Sequence, residues 1–266
     1  EPGDLFGIGA THRLDPRWTI HGQLWSLNGG AQLPDHQTLA TAARYLAADG
    51  SQSLQLNALG DSKGNLGLWA DAYKYFGLWK HRAGAFRLDP GLLWTDALIA
   101  NDQQGAYWRS DLLRQRYNVS LGLEANGTNI DGDPRVAGTD RFLGFASGSY
   151  LVNRLTSVGA TLDLAETRQG PGLETAALPR TLSARLFANR TLPFGQGRFE
   201  VLHQDTSSSL RSEERTLLTW FHVWPGTANR YLTSTLEYGT GERDALRFDE
   251  WTAGLTLRQS LSRRFA

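Results

Sequence analysis

The pattern that most constrains the fold lies in the segment TLSARL, where apolar and polar side chains alternate. Leu182, Ala184 and Leu186 occupy one parity, and Ser183 and Arg185 occupy the other. A period of two places alternate residues on opposite faces of a β-strand, whereas an amphipathic helix repeats its apolar residues every three to four positions. The segment is therefore predicted to be a strand with one apolar face and one face that carries charge.

The same alternation recurs along the chain and predicts about fifteen strands. They lie near residues 5–14, 18–27, 38–48, 52–60, 65–76, 79–88, 104–114, 117–126, 141–152, 156–166, 181–192, 197–205, 215–224, 230–239 and 250–262. Tight turns alternate with longer polar loops between these strands. The longer loops include residues 28–37, 126–141, 166–180, 204–215 and 239–250. A soluble sandwich also has regular turns, but it gives no reason to sort them by length.

This pattern resembles that of the bacterial outer-membrane β-barrels over essentially the whole chain. The resemblance implies an all-β, antiparallel up-and-down transmembrane β-barrel of about 14–16 strands, with short periplasmic turns and long extracellular loops. It also implies a location in the outer membrane of a Gram-negative bacterium. No motif identifies one family within this class, so no functional residue can be carried over from a relative.

The predicted domain is a single barrel that spans residues 1–266, or part of a longer chain. A count of fifteen strands conflicts with the even number expected of single-chain bacterial barrels. One strand would then lie beyond an end, or residues 91–101 would add spanning structure. The long stretch 88–104 could equally fold inward as a constricting loop. No run of 18 apolar residues occurs, so a transmembrane helix is not expected.

Aromatic residues cluster near the predicted strand ends, as the interfacial girdles of a membrane barrel require. The members of this set are Trp18, Trp25, Trp69, Tyr75, Trp108, Tyr117, Tyr150, Trp224, Tyr231, Tyr238 and Trp251. In a barrel, the apolar parity faces lipid and the polar parity faces an aqueous lumen. In a sandwich, the apolar parity would be buried instead, and the alternation alone does not separate the two folds.

Assigning the parity strand by strand predicts a charged lumen wall, and thirteen residues are candidates for its constriction. They are Arg13, His21, His81, Arg87, Arg109, Asp111, Glu124, Asp163, Arg185, Arg198, Glu200, Glu237 and Arg258. Such side chains can simply pair across strands, or they can form a ring that selects solutes by charge. The six arginines against five acids predict a slight preference for anions.

Four aromatic residues are candidates for stacking on sugar rings inside the lumen: Trp25, Trp69, Tyr73 and Tyr107. The alternative for Trp69 and Tyr73 is a place in the lipid-facing girdle, because the segment LGLWADAYKYFG is ambiguous in parity.

Several classes of function find no support in the sequence. The net charge is zero, so no nucleic-acid partner is expected. Because cysteine is absent and the six histidines are scattered, neither a metal nor another cofactor is expected. Residues 60–64, GDSKG, fit the letters of the pattern G-x-S-x-G, but they lie between two predicted strands with no helix to follow, so they do not form the strand–turn–helix elbow of a hydrolase. The motif H-E-x-x-H does not occur, and we do not expect an enzyme.

The leading hypothesis is an outer-membrane channel that passes hydrophilic solutes, in contact with membrane lipid and lipopolysaccharide. The alternative is the C-terminal translocation barrel of an export system for an exopolysaccharide or protein, with a periplasmic partner domain. Less favoured hypotheses are an outer-membrane lipid hydrolase and a soluble β-sandwich adhesin.

Overall fold

The computed structural model describes residues 4–13, 17–28, 36–61, 63–92, 102–173, 178–226 and 230–259, and in these residues it contains fifteen β-strands and no helix. The first eight strands are β1 (Asp4–Arg13), β2 (Trp18–Asn28), β3 (His36–Leu46), β4 (Gln52–Asp61), β5 (Leu66–Phe76), β6 (Trp79–Leu88), β7 (Gln103–Leu113) and β8 (Tyr117–Thr128). The other seven are β9 (Ala137–Asn153), β10 (Thr156–Gly172), β11 (Arg180–Leu192), β12 (Gly195–Ser207), β13 (Ser212–Val223), β14 (Arg230–Arg243) and β15 (Leu246–Gln259).

The strands form one sheet in which each strand lies next to its neighbours in sequence, from β1 to β15. Their pairing is antiparallel, as in the hairpin of β11 and β12, where Phe187 lies opposite Glu200 and Leu186 lies opposite Val201. Residues that lie directly opposite each other point to the same face of a sheet. The register therefore carries the apolar and polar parities from one strand to the next. The predicted all-β, up-and-down arrangement is confirmed.

Residue contacts divide the chain into two compact units. Unit 1 contains residues 1–111, 122–143 and 167–175, and unit 2 contains residues 112–121, 144–166 and 176–266. Strands β1–β6 belong to unit 1 and β11–β15 belong to unit 2.

The connections that follow the odd-numbered strands are short, and we call this side of the sheet the short-turn end. Residues 77–78, 154–155 and 193–194 each join two strands there. At the other end, which we call the loop end, residues 129–136 form a longer connection. Of the residues described here, no helix combines the length and hydropathy needed to span a membrane.

Two of the predicted long loops are mostly strand. The loop expected at residues 239–250 reduces to Asp244 and Ala245, whose φ angles of 49° and 66° suit the two-residue turn of a tight hairpin. The loop expected at residues 204–215 reduces to residues 208–211. Both hairpins carry polar residues on both faces near the loop end, so their sequences lack the alternation that marks a strand.

The connection 129–136 in unit 1 is organised around the buried side chain of Asn129. Its Nδ2 donates hydrogen bonds to the carbonyl oxygens of Asp133, Val136 and Pro171 at 3.0, 2.9 and 3.0 Å. Its Oδ1 accepts a hydrogen bond from the backbone N–H of Asp133 at 2.9 Å. One amide side chain therefore satisfies backbone groups that would otherwise lack partners at this end of the hairpin.

Candidate functional site

The two faces of unit 2 differ in the way that a membrane barrel requires. Strands β10–β15 place Leu162, Leu186 and Leu255 on one face, which we call the apolar face of unit 2. Leu186 is 60% exposed and Leu255 is 72% exposed. A soluble sandwich would bury these leucines between two sheets, so their exposure contradicts the sandwich alternative.

The opposite, polar face of unit 2 carries a network of paired charges. Glu200 on β12 lies between two arginines: its Oε1 is 3.1 Å from Nε of Arg185, and its Oε2 is 2.6 Å from Nη2 of Arg198. The guanidinium of Arg198 also lies 4.9 Å from the centre of the Phe187 ring. The side chain of Glu200 is 19% exposed, which makes it less exposed than the leucines of the apolar face.

A second ion-pair group lies on the same polar face, nearer the loop end. The guanidinium of Arg215 on β13 contacts Glu250 on β15 and lies 3.8 Å from Oε1 of Glu237 on β14. The hydroxyl of Thr219 donates a hydrogen bond of 3.2 Å to Oε2 of Glu237. Strands β11 and β12 thus share one ionic group on this face and strands β13–β15 share a second, and Glu200, Glu237 and Glu250 each have a basic partner.

The polar face of unit 1 combines charge with aromatic rings. Asp71 on β5 accepts hydrogen bonds from Nε of Arg82, at 3.0 Å, and from the hydroxyl of Tyr107. The guanidinium of Arg82 lies 5.8 Å from the centre of the Tyr107 ring. Gly84 pairs with Asp71, and a Cβ at Gly84 would come within 2.5 Å of Tyr107 Cε1. The missing side chain of Gly84 therefore leaves the space that the Tyr107 ring occupies.

Three further residues extend this surface toward the short-turn end. Nζ of Lys80 lies 4.7 Å from the centre of the Tyr73 ring and 5.8 Å from that of Tyr75. The two tyrosine rings meet edge to face, with centroids 6.1 Å apart. The Tyr73 hydroxyl donates a hydrogen bond of 3.2 Å to the carbonyl oxygen of Gly50. Trp69 lies on the same face of β5, two residues before Asp71 and therefore toward the loop end.

The structure places several of the predicted lumen residues on these polar faces. Arg185, Arg198, Glu200 and Glu237 belong to the networks of unit 2, and Trp69, Tyr73 and Tyr107 lie on the polar face of unit 1. Arg109 and Asp111 alternate with Tyr107 on the same face of β7 and form an ion pair of 3.1 Å.

Three other predicted residues make fewer contacts. Glu124 accepts a hydrogen bond of 3.2 Å from Asn126, and it lies on the opposite face of β8 from the exposed Leu123. Asp163 lies opposite Ser183 and is exposed. Nη1 of Arg258 donates a hydrogen bond of 3.3 Å to the Tyr231 hydroxyl.

The predicted parity of β6 is wrong. His81 lies opposite Lys74 and Arg87 lies opposite Leu68, so both share a face with Ala83 and Ala85. This is the apolar face of unit 1. The strand carries cations on both parities, because Lys80 and Arg82 alternate with His81 and Arg87, and its own sequence therefore cannot identify the polar face. Pairing with β5 decides the orientation.

Aromatic belts occur on the apolar faces at the short-turn end, and each includes a histidine. In unit 1, the His81 ring lies 5.4 Å from Phe76, 6.3 Å from Trp79 and 6.0 Å from Trp108. Such belts are typical of the interface between lipid and water.

The belt of unit 2 surrounds the buried His222. Its ring lies 4.5 Å from Trp224, 5.4 Å from Phe194 and 6.2 Å from Trp220, and its Nε2 is 3.0 Å from the Phe194 carbonyl oxygen. Three predicted girdle residues, Trp69, Tyr75 and Tyr231, lie instead on the polar faces.

Some predictions fall outside the part of the chain that the structure describes. Arg13, His21 and Trp25 lie on β1 and β2, but their side chains are not among the described atoms. The proposed constricting loop at 88–104 falls largely on residues 93–101, which are likewise outside the described residues.

Sequence reasoning missed several residues of the two polar faces. They are Asp71, Tyr75, Lys80, Arg82, Arg215 and Glu250. Lys80 and Arg82 could have been found from the sequence, because the tight β5–β6 turn places them on the same face as the tyrosines of β5. The acids Asp71 and Glu250 become recognisable when their strands are paired, because their basic partners lie on neighbouring strands. No group of three or more histidines and acids among the described residues could hold a metal ion.

Outside the strands, two carboxyl groups have a perturbed pKa. Hydrogen bonds from the side chain and backbone of Arg135 lower the pKa of Asp133, and the same pair raises the pKa of Arg135. The distance from Arg135 Nη2 to Asp133 Oδ2 is 2.9 Å. In the β3–β4 turn, hydrogen bonds from the backbone and side chain of Ser51 lower the pKa of Asp49. These pairs order the connections.

Comparison with solved structures identifies the fold. The structure is similar to an anion-selective porin from Comamonas acidovorans, with a TM-score of 0.51 and 12% sequence identity over 97% of this chain and 99% of that one. It is also similar to a bacterial polysaccharide outer membrane secretin, with a TM-score of 0.43 and 9% identity over 98% of this chain and 91% of that one. A third similar structure is OmpT, an outer membrane protein of Vibrio cholerae, with a TM-score of 0.48 and 11% identity over 97% and 99% of the two chains.

Neither a protein-family profile nor a curated protein sequence matches this chain. At 12% identity, the likeness to the porin concerns the fold alone. The chain therefore has the fold of the outer-membrane β-barrels of Gram-negative bacteria, as its alternation predicts.

Proposed function

We propose that this chain forms a water-filled channel for hydrophilic solutes in the outer membrane of a Gram-negative bacterium. One observation carries the proposal: the leucines are exposed on one face, while the paired ions occupy the other. Leu186 and Leu255 have the exposure expected of side chains in contact with acyl tails of phospholipid and lipopolysaccharide. The Glu200 network has the paired geometry expected of a wetted wall.

The physical reason for a channel rather than a filled core is the number of strands. An unpaired backbone amide in hydrocarbon costs several kcal/mol, so a sheet that spans a membrane closes on itself. A barrel of about eight strands is just filled by its own side chains, whereas one with about twice as many leaves an aqueous interior. The fifteen described strands lie near the larger number.

The charges of unit 2 support passage of small ions without a strong choice of sign. Arg185 and Arg198 share Glu200, whereas Arg215 lies between two acids. The face therefore carries an excess of positive charge around Glu200 and an excess of negative charge around Arg215. This alternation supports a weak anion preference in the part of the wall around Glu200. The proposed activity is passive and involves no covalent step.

Planar-bilayer recording tests the channel. The refolded protein is added to a planar membrane in about 1 M KCl. This salt concentration is roughly an order of magnitude higher than that of the cell, and it suppresses the effects of surface charge. We expect stepwise, ohmic current increments. Protein that migrates as a folded barrel in mild detergent, yet adds no current from either side of the membrane, would contradict the proposal.

A second candidate is a barrel that translocates a polysaccharide. It is favoured by the aromatic residues on the polar face of unit 1, where Trp69, Tyr73 and Tyr107 lie among ions. Proteoliposomes loaded with saccharides of graded length separate the two candidates. Release of short saccharides alone supports the general channel, and release that continues for chains of many residues supports translocation.

A further inference from the structure

An aromatic stripe runs along the polar face of unit 1, on the opposite side of the sheet from the aromatic belt that contains His81. We define the stripe as Trp69, Tyr73, Tyr75 and Tyr107 together with Lys80 and Arg82. It occupies β5, β6 and β7, between the level of Trp69 and the short-turn end.

The two cations of the stripe have different partners. Arg82 is held by Asp71 through Nε at 3.0 Å, and Asp71 is also engaged by the Tyr107 hydroxyl. Lys80 is within reach of two tyrosine rings, but none of the carboxylates that the structure describes forms an ion pair with it. One positive charge of the stripe is therefore available to an anionic ligand.

The rings supply the second part of the recognition. The faces of aromatic rings carry partial negative charge, so they attract the C–H faces of sugars as well as cations. Tyr75 is exposed, and Trp69 on the same face is 39% exposed, so these two rings have surface available to a ligand. A carboxylate that reached Lys80 would form an ion pair while the lysine stem still covered Tyr73.

We propose that the aromatic stripe is a binding site for acidic saccharides, with the rings contacting the pyranose faces and Lys80 pairing with a uronate carboxylate. This inference rests on the proposed channel, and it names the solute class that the channel favours. Neutral saccharides have the same C–H faces but lack the group that Lys80 recognises.

The test compares two lysines that lie near the same turn on opposite faces. Lys80 belongs to the stripe, whereas Lys74 lies on the apolar face with Nζ 4.9 Å from the Phe76 ring. The variants Lys80→Gln and Lys74→Gln thus remove the same charge from the two sides of one hairpin. The probes are trigalacturonate and maltotriose, which match in length and differ in charge. Binding is measured by calorimetry in detergent and by blockage of the bilayer current.

We expect trigalacturonate to bind the native protein and to block its current in proportion to occupancy. Lys80→Gln weakens that binding roughly tenfold, as expected for loss of a charge-assisted contact, and leaves maltotriose binding unchanged. Lys74→Gln leaves both unchanged. Replacing Tyr75 with leucine weakens both probes, because the ring contact is common to them.

Two outcomes overturn the site: equal affinity for the charged and neutral probes, or equal loss of trigalacturonate binding in the two lysine variants. Because calorimetry in detergent measures binding without conduction, it distinguishes failure of the binding site from failure of the channel. Ohmic current without saccharide binding refutes the acidic site and leaves the channel intact. Saccharide binding in detergent without current in the bilayer refutes the channel and leaves the site intact.

Discussion

Units 1 and 2 expose leucines on one face in the same way, but they line their polar faces by different means. In unit 2, the polar face is a network in which Glu200 joins Arg185 and Arg198. In unit 1, the polar face is crowded by rings, with Tyr107 packed over Gly84 and held by Asp71. The same fold thus allows one wall built from paired ions and another built from aromatic rings and cations.

The difference teaches that the alternation defines which face is polar but not which kinds of side chain that face carries. Ion pairs at a wetted surface satisfy one another and contribute little net charge, with energies of up to about 1 kcal/mol each. Rings with an unpaired lysine leave contact area and charge for a ligand. We therefore expect unit 2 to influence ion selectivity and unit 1 to influence the choice of organic solute.

The largest expected effect concerns the feature that both units share. Leu186→Arg in unit 2 and Leu56→Arg in unit 1 place a charge among exposed apolar side chains. Arginine on a lipid face near the midplane costs about 2–4 kcal/mol in a barrel. Urea unfolding in lipid vesicles measures the loss. Ser183→Arg and Gln55→Arg, on the polar faces of the same strands, should cost much less, and an equal loss would contradict the assignment of the faces.

The next effect tests the crowding of unit 1. Gly84→Ala places a Cβ within 2.5 Å of the Tyr107 ring and 2.8 Å of the Ala70 carbonyl oxygen. Overpacking of this kind costs about 1–3 kcal/mol. Gly254→Ala is the matched control on the polar face of unit 2, because its Cβ would meet Thr235 at 4.0 Å, an ordinary contact. Equal free energies of unfolding for the two variants would contradict the inference that the polar face is more crowded at Gly84 than at Gly254.

The ion network of unit 2 predicts a smaller effect on selectivity. Glu200→Gln leaves Arg185 and Arg198 without their shared acid, so the channel should favour chloride over potassium more than before. We expect the permeability ratio to change about two- to fivefold, in line with the energies of partly exposed pairs. Reversal potentials in a salt gradient measure it.

Asp71→Asn in unit 1 should change the ratio less, because one arginine, Arg82, loses its partner there rather than two. Glu214→Gln serves as the control: this acid is 68% exposed and lies on the other face of β13 from Arg215. A larger shift for Glu214→Gln than for Glu200→Gln would mean that the network does not face the conducting path.

How far the sequence predicts this molecule depends on how regularly polar and apolar residues alternate. The bounds of β6 at Trp79–Leu88 are predicted without error, because the tight turn at residues 77–78 precedes the strand and the sequence Asp89-Pro90-Gly91 follows its last residue. The loop-end parts of β9, at Ala137–Asn153, and of β14, at Arg230–Arg243, extend beyond their predicted bounds of 141–152 and 230–239. Those extensions have no apolar face to maintain, so the period of two disappears.

The same physical reason limits prediction of the site. Arg185 and Glu200 are identifiable because their strands have a clear apolar parity. In β6, cations occupy both parities, and the correct face depends on hydrogen bonding to β5. Contacts such as Lys80 with Tyr73 join two strands, and a single strand read by itself cannot reveal them.

The smallest expected effect concerns the loop end of unit 1, outside the strands. Asp133 has a pKa below its usual 3.8 because Arg135 donates to it, so the carboxylate stabilises the connection above that value and loses this role as the pH falls through the lowered pKa. Arg135→Gln should raise the pKa of Asp133 toward 3.8, which carboxyl-carbon NMR measures. The pKa of Asp49, lowered by Ser51 in a turn of the same unit, should stay unchanged. If both carboxyl groups shifted together, the cause would be a general loss of order rather than the loss of one hydrogen-bonded pair.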